Sequence, residues 1–113
     1  MCMKILRIKN KSFFIEVADT WRKRAKGLMF RKRPAPMHGL LIEFPKPGKW
    51  GIWTPFMKFP LDLIFLDEKM QVVDAKGNVP AISILKPKTW KIYRPKAPAK
   101  YVLEVAAQMP RQR

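Results

Sequence analysis

Apolar residues in this chain occur in short groups, mostly at a spacing of two, separated by clusters of turn-forming residues. That pattern predicts strands. Ile5, Leu6 and Ile8 mark a first strand, closed by the polar turn Asn10-Lys11-Ser12. Phe13 to Ala18 is a second. Leu40 to Phe44 is bounded by Gly39 on one side and by Pro45-Lys46-Pro47-Gly48 on the other. Trp50, Ile52 and Trp53 form a short candidate before Pro55. Leu61 to Leu66 and Met70 to Ala75 flank Asp67-Glu68-Lys69, which predicts a hairpin, and Lys76-Gly77-Asn78 then reads as a further turn. Ile82 to Leu85, Trp90 to Tyr93 and Tyr101 to Val105 complete the set. One segment breaks the pattern. Asp19-Thr20 can cap a short helix over Trp21 to Lys26, with Gly27 as its stop. The expected fold is mainly β, a small barrel-like or sandwich arrangement of short, mostly antiparallel strands with one short helix.

Length and composition narrow this further. At 113 residues a single domain over 1–113 is expected, with 109–113 as a loose basic tail. The hydrophobic fraction of 48% suffices for a core, which argues against wholesale disorder. The longest apolar runs are interrupted, as by Asp62, so no stretch of about 18 residues predicts a membrane-spanning helix. Cys2 is the one cysteine, so there is no intrachain disulfide framework. Ile5 and Leu6 are not followed by the apolar stretch of a secretory signal, and a cytoplasmic location is the expectation. With Pro at 11 and Gly at 5, the loops lose less entropy on folding, which points to a heat-adapted source.

Charge is the strongest compositional feature. There are 24 Lys+Arg against 8 Asp+Glu, a formal net charge of +16. Surface ion-pair networks of heat-adapted proteins need both signs, and the acids here are too few. The excess must face water or an anionic partner.

Several residues then read together. Phe14-Ile15-Glu16-Val17-Ala18-Asp19-Thr20 is followed by Arg24 and by Gly27-Leu28-Met29-Phe30-Arg31. Downstream come Trp53, Pro60-Leu61-Asp62 with Phe65, and Lys100-Tyr101-Val102-Leu103-Glu104. This set resembles the small prokaryotic family called domain of unknown function 192, or uncharacterised protein family 0127. The resemblance runs from about Phe14 to Val105 and implies a compact, mainly β domain without implying an activity. Two departures stand out. Many members read Trp-Met-Lys-Asn-Thr before the Pro-Leu-Asp block, where this chain has Trp53-Thr54-Pro55-Phe56-Met57. Many also continue past the Val-Leu-Glu strand with a glycine and a further element. Apart from these, many members carry an export signal, which is not expected in this chain.

Two basic segments could serve a polyanion. Arg22, Lys23, Arg24, Lys26, Arg31, Lys32 and Arg33 place seven bases in twelve positions with no acid. Lys86, Lys88, Lys91, Arg94, Lys96 and Lys100 are interleaved with Trp90, Tyr93 and Tyr101. Single-stranded nucleic acid needs charge for its backbone and flat rings for its bases, and the second segment offers both. The competing reading is a solvated face that keeps the protein soluble. No helix-turn-helix, zinc-finger or RNP signature is present.

A second constellation is a ligand pocket lined by Trp53, Met29 and Met57, with Asp62 and Arg24 as polar anchors. Asp62 opens an apolar strand, and a partly buried carboxylate there must pair or protonate; Arg24 or Arg31 could supply the partner. The competing reading is a structural ion pair under an aromatic core. Nucleophilic and metal chemistry find little footing. His38 is the one histidine and reads as a loop residue, Ser12 and Ser83 are the two serines, and no metal-ligand spacing or cofactor motif appears. An enzyme would need Asp19, Asp62 or His38 to converge. The seven Met residues lack a repeated spacing and read as core filling. The residues point first to a non-catalytic basic protein contacting nucleic acid or another polyanion mainly through phosphates. The alternative is a small-ligand module around Trp53 and Asp62.

Overall fold

The structure is a computed structural model. It describes residues 4–28, 32, 34–53, 57–80, 82, 85–86 and 91–107, with the side chain of Lys26 excepted. Among these the chain forms β1 (Lys4–Ile8), β2 (Lys11–Ala18), α1 (Trp21–Lys26), β3 (His38–Gly48), β4 (Leu61–Leu66), β5 (Val72–Val79) and β6 (Ala99–Ala106). The strands build one mixed sheet in the order β1-β2-β3-β6-β4-β5. Every pairing is antiparallel except β2 with β3. The sheet does not close, because β1 and β5 are its two edges.

Strict alternation along the central strands divides the core in two. Leu40, Ile42 and Phe44 of β3, Leu61, Leu63 and Phe65 of β4, and Val102 of β6 enter one cluster, together with Leu28 and Ile52. Leu41, Leu66, Leu103 and Val105 enter the other, with Ile8, Phe13 and Ile15. The middle of the sheet is therefore buried on both faces. This explains the nearly continuous apolar runs of β4 and β6. No helix among the described residues is long and apolar enough to cross a membrane.

The short helix forms where the pattern predicts it. Thr20 Oγ1 accepts from the Lys23 amide at 3.2 Å, and Gly27 ends the helix at φ +51°. The β4–β5 hairpin also forms: Asp67 Oδ1 accepts from the amides of Lys69 and Gln71, and β5 starts at Val72 rather than Met70.

Three turn signals behave differently from expectation. Lys11 and Ser12 belong to β2, because Ile8 pairs directly with Lys11 and leaves Lys9-Asn10 as the turn, with Lys9 at φ +56°. Lys76-Gly77-Asn78 is not a turn. Leu61 pairs with Val79 and Leu63 with Lys76, so one extra residue is taken up as a bulge, with Asn78 in a left-handed conformation at φ +54°. Pro45 to Gly48 does not end β3 either. The register jumps between Glu43 and Gly48, and the two prolines, which lack amide donors, fall inside that irregularity. The Trp50, Ile52, Trp53 segment makes an isolated bridge, Ile52 to Tyr93, rather than a strand. Ser83 and Ile84, within the anticipated strand Ile82 to Leu85, and Trp90 lie outside the described residues.

Candidate functional site

A cleft of about 360 Å³ opens on the helix side of the sheet. Trp21, Arg24, Ala25 and Gly27 wall it from α1 and its end, and Trp50 to Trp53 wall it from the connection between β3 and β4. Residues 21, 24 and 25 share one helix face. Ile42, Phe44, Leu61 and Glu104 come from the sheet, and Met57, Leu28 and Pro45 complete the lining.

Each wall is held locally. Arg24 Nη1 donates to the Glu43 carbonyl at 2.9 Å, tying the helix to β3. The Trp50 ring stacks on Phe44 with centroids 5.1 Å apart and planes 5° off parallel, and its Nε1 donates to the Lys46 carbonyl at 2.8 Å. The backbones of Ile52 and Tyr93 exchange both hydrogen bonds, at 2.8 and 2.7 Å. Arg94 Nη1 donates to the Lys49 carbonyl at 3.1 Å. The outer rings are left free to meet a ligand: Trp21 is 73% exposed and Trp53 60%.

Glu104 is the unusual member. It sits on β6 opposite Leu40 of β3 and Leu63 of β4, both buried, and is itself 4% exposed. Burial pushes its carboxyl up to about 7, because the apolar surround disfavours the ionised form. Sequence reasoning passed over it as a site residue. The available signal was a lone carboxylate inside the apolar run Tyr101 to Ala107.

The anticipated pocket is brought together in part. Arg24, Trp53 and Met57 line the cleft. Asp62 does not. It alternates with Leu61 and Leu63 on β4, so it points to the opposite side of the sheet. There its Oδ1 accepts from the Asn78 amide at 2.8 Å. Asp62 lines a separate hollow of about 400 Å³ with Ile8, Lys9, Phe13 and Ile64. An Arg24–Asp62 pair is therefore ruled out by the strand's period of two. Met29 and Arg31 lie outside the described residues.

Of the anticipated polyanion contacts, Arg22, Lys23, Lys32, Lys91 and Arg94 are exposed, and Tyr93 is half-buried under Lys91, whose Nζ lies 5.5 Å from the ring centroid. Arg33, Lys88 and Trp90 lie outside the described residues, as does the side chain of Lys26. Exposed bases are also found on β1, β2 and β3 and at Lys58 and Lys69. Among the described residues the exposed bases are thus spread over several elements rather than confined to one. His38 is not in a loop: it opens β3, half-buried, its ring 5.1 Å from that of Phe14. Asp19 pairs with Lys23 at 4.0 Å on the surface. Among the described residues no group of three or more His, Cys, Asp or Glu could hold a metal.

Comparison with known proteins agrees with this architecture. The DUF192 family, described as "Uncharacterized ACR", matches residues 4–113. A UPF0127 protein of Pyrococcus furiosus is 39% identical over 100 residues, covering 85% of this chain and 76% of the relative. A UPF0127 protein of Pyrococcus horikoshii is 39% identical over 92 residues, covering 80% of this chain and 70% of the relative. Among solved structures, a proposed transcription regulator of Sinorhizobium meliloti superposes with a TM-score of 0.77 at 25% identity, over 93% of this chain and 78% of that one. A protein of unknown function from Novosphingobium aromaticivorans gives 0.73 at 28% identity, over 85% and 64% of the two chains. With a family match along nearly its whole length and close relatives in thermophilic archaea, the chain belongs to the uncharacterised DUF192, or UPF0127, family.

Proposed function

We propose that this chain is a non-catalytic binding domain that seats a small ligand in the cleft beneath α1. The observation that carries this reading is Glu104. Placing an ionisable carboxyl between two buried leucines costs stability, and here that carboxyl lines a cleft with two exposed indoles at its mouth. A volume of about 360 Å³ falls in the range of small-molecule sites, roughly 300–1,000 Å³. The test is a thermal-shift screen of metabolites followed by titration of tryptophan fluorescence. A true ligand raises the melting temperature, and Trp53→Ala removes the effect. If no compound shifts the wild-type chain, the reading fails.

A second reading keeps the polyanion partner. Trp21 and Trp53 are exposed rings, and Arg22, Lys23 and Arg94 are exposed bases, the two kinds of group that stack bases and contact phosphates. The description of the Sinorhizobium neighbour as a proposed transcription regulator leans the same way. This reading predicts that log affinity falls linearly with log salt. Fluorescence anisotropy with single-stranded and duplex probes decides it, and absence of binding at low ionic strength removes it.

A further inference from the structure

The cleft is lined by one acid and one base that do not pair. Arg24 enters it from α1 and Glu104 from β6, and among the described residues these are its two charged lining groups. They form no ion pair. Arg24 Nη1 is engaged by the Glu43 carbonyl at 2.9 Å, and Glu104 is set by its place on a central strand between β3 and β4. In an apolar surround such charges attract strongly, and flexible side chains would ordinarily close on each other. Each is attached to a different element, and Trp21, Trp50 and Trp53 line the same cleft.

From this juxtaposition we infer that the ligand is a small zwitterion with an apolar body, of the free α-amino acid class. Its ammonium group meets Glu104, its carboxylate meets Arg24, and its side chain lies against the indoles. The assignment rests on the small-ligand reading of the cleft. A ligand with an anion alone would satisfy Arg24 and be repelled by the Glu104 carboxylate. A ligand with a cation alone would satisfy Glu104, face Arg24, and approach a chain of net charge +16. A molecule carrying both charges meets neither objection, and each charge on the protein then gains a partner. The indole faces add attraction for the ammonium group.

The test uses the full chain and tryptophan fluorescence, with calorimetry as a second readout. The probes are the common amino acids. The tightest binder is then compared with its amine analogue, which lacks the carboxylate, and its acid analogue, which lacks the amino group; for phenylalanine these are phenethylamine and 3-phenylpropionate. The zwitterion is expected to bind at least tenfold more tightly than either. Glu104→Gln should weaken the zwitterion and the amine while sparing the acid, and Arg24→Gln should do the reverse. The analogue comparison on the unmodified chain decides the question even where a variant folds poorly. Equal binding by a single-charge analogue overturns the inference, as does a metabolite of another class that binds where no amino acid does; in both cases the cleft itself stands. If nothing in the library binds, the small-ligand reading falls together with the inference.

Discussion

The Glu104 carboxylate lies directly beneath the backbone of Gly27: a Cβ built on that glycine would come 3.4 Å from Glu104 Oε1. The helix stop and the buried acid are thus neighbours in the cleft lining, although 77 positions separate them in the chain. Gly27 ends α1 with φ +51° and ψ −130°, a region closed to residues with a side chain. Gly27→Ala should therefore destabilise the fold by about 1–3 kcal/mol. Denaturant unfolding measures this, and a change within a few tenths of a kcal/mol would show that the turn can relax.

A different glycine is held by space alone. A Cβ at Gly39 would stand 2.5 Å from both the Glu104 carbonyl oxygen and Val105 Cγ1, inside the β3–β6 ladder. Backbone cannot give way there as a side-chain tip can. Gly39→Ala should cost about 1–3 kcal/mol or more by overpacking. At Gly77 the nearest atom would be Asp62 Oδ1 at 3.7 Å, an ordinary contact. Gly77→Ala should stay within about 1 kcal/mol of wild type. Comparable losses at the two positions would contradict the packing described.

The pH dependence of stability follows from Glu104. Its folded-state pKa is raised from 4.5 to about 7, so between those values the folded chain holds a proton that the unfolded chain has released. Stability must fall as pH rises through this window and level off above it. A shift of this size corresponds to about 3 kcal/mol. Glu104→Gln should remove the decline and leave the variant more stable than wild type at pH 8. Asp74 acts in the opposite sense. Burial works against its charged form, but amide donors from Ala75 and Lys96 and the Lys76 ammonium prevail and hold its pKa below the usual carboxylate value. That contribution is present at neutral pH and is lost in acid as the carboxylate protonates. Urea unfolding of both chains at pH 5 and pH 8 checks the Glu104 prediction.

Asp62 should matter to the sheet and not to the cleft. Its Oδ1 holds the Asn78 amide within the β5 bulge. Asp62→Ala should destabilise by about 1 kcal/mol through loss of that hydrogen bond. It should leave the affinity of any ligand in the α1 cleft unchanged. Loss of binding in a folded Asp62→Ala variant would count against the two-faced sheet.

Elements whose causes are local are legible in the amino-acid order. Thr20 and Gly27 delimit α1 because capping acts within a turn, and the alternation in Leu61 to Leu66 marks a strand because side chains along it point to opposite faces. The same locality misled where Gly77-Asn78 stands, since a bulge uses the residues a turn uses and only the partner strand distinguishes them. Arg24, Trp53 and Met57 were grouped from the chain, yet Asp62 was grouped with them because sequence order does not say which face of β4 lies toward α1. Tertiary structure alone decided the parallel pairing of β2 with β3, the insertion of β6 between β3 and β4, and with it the burial of Glu104. Those are contacts between residues far apart in the chain, and their energies come from which surfaces exclude water together. The family-like blocks carried the resemblance, but it took the order of strands to turn one glutamate of the last block into the floor of a cleft.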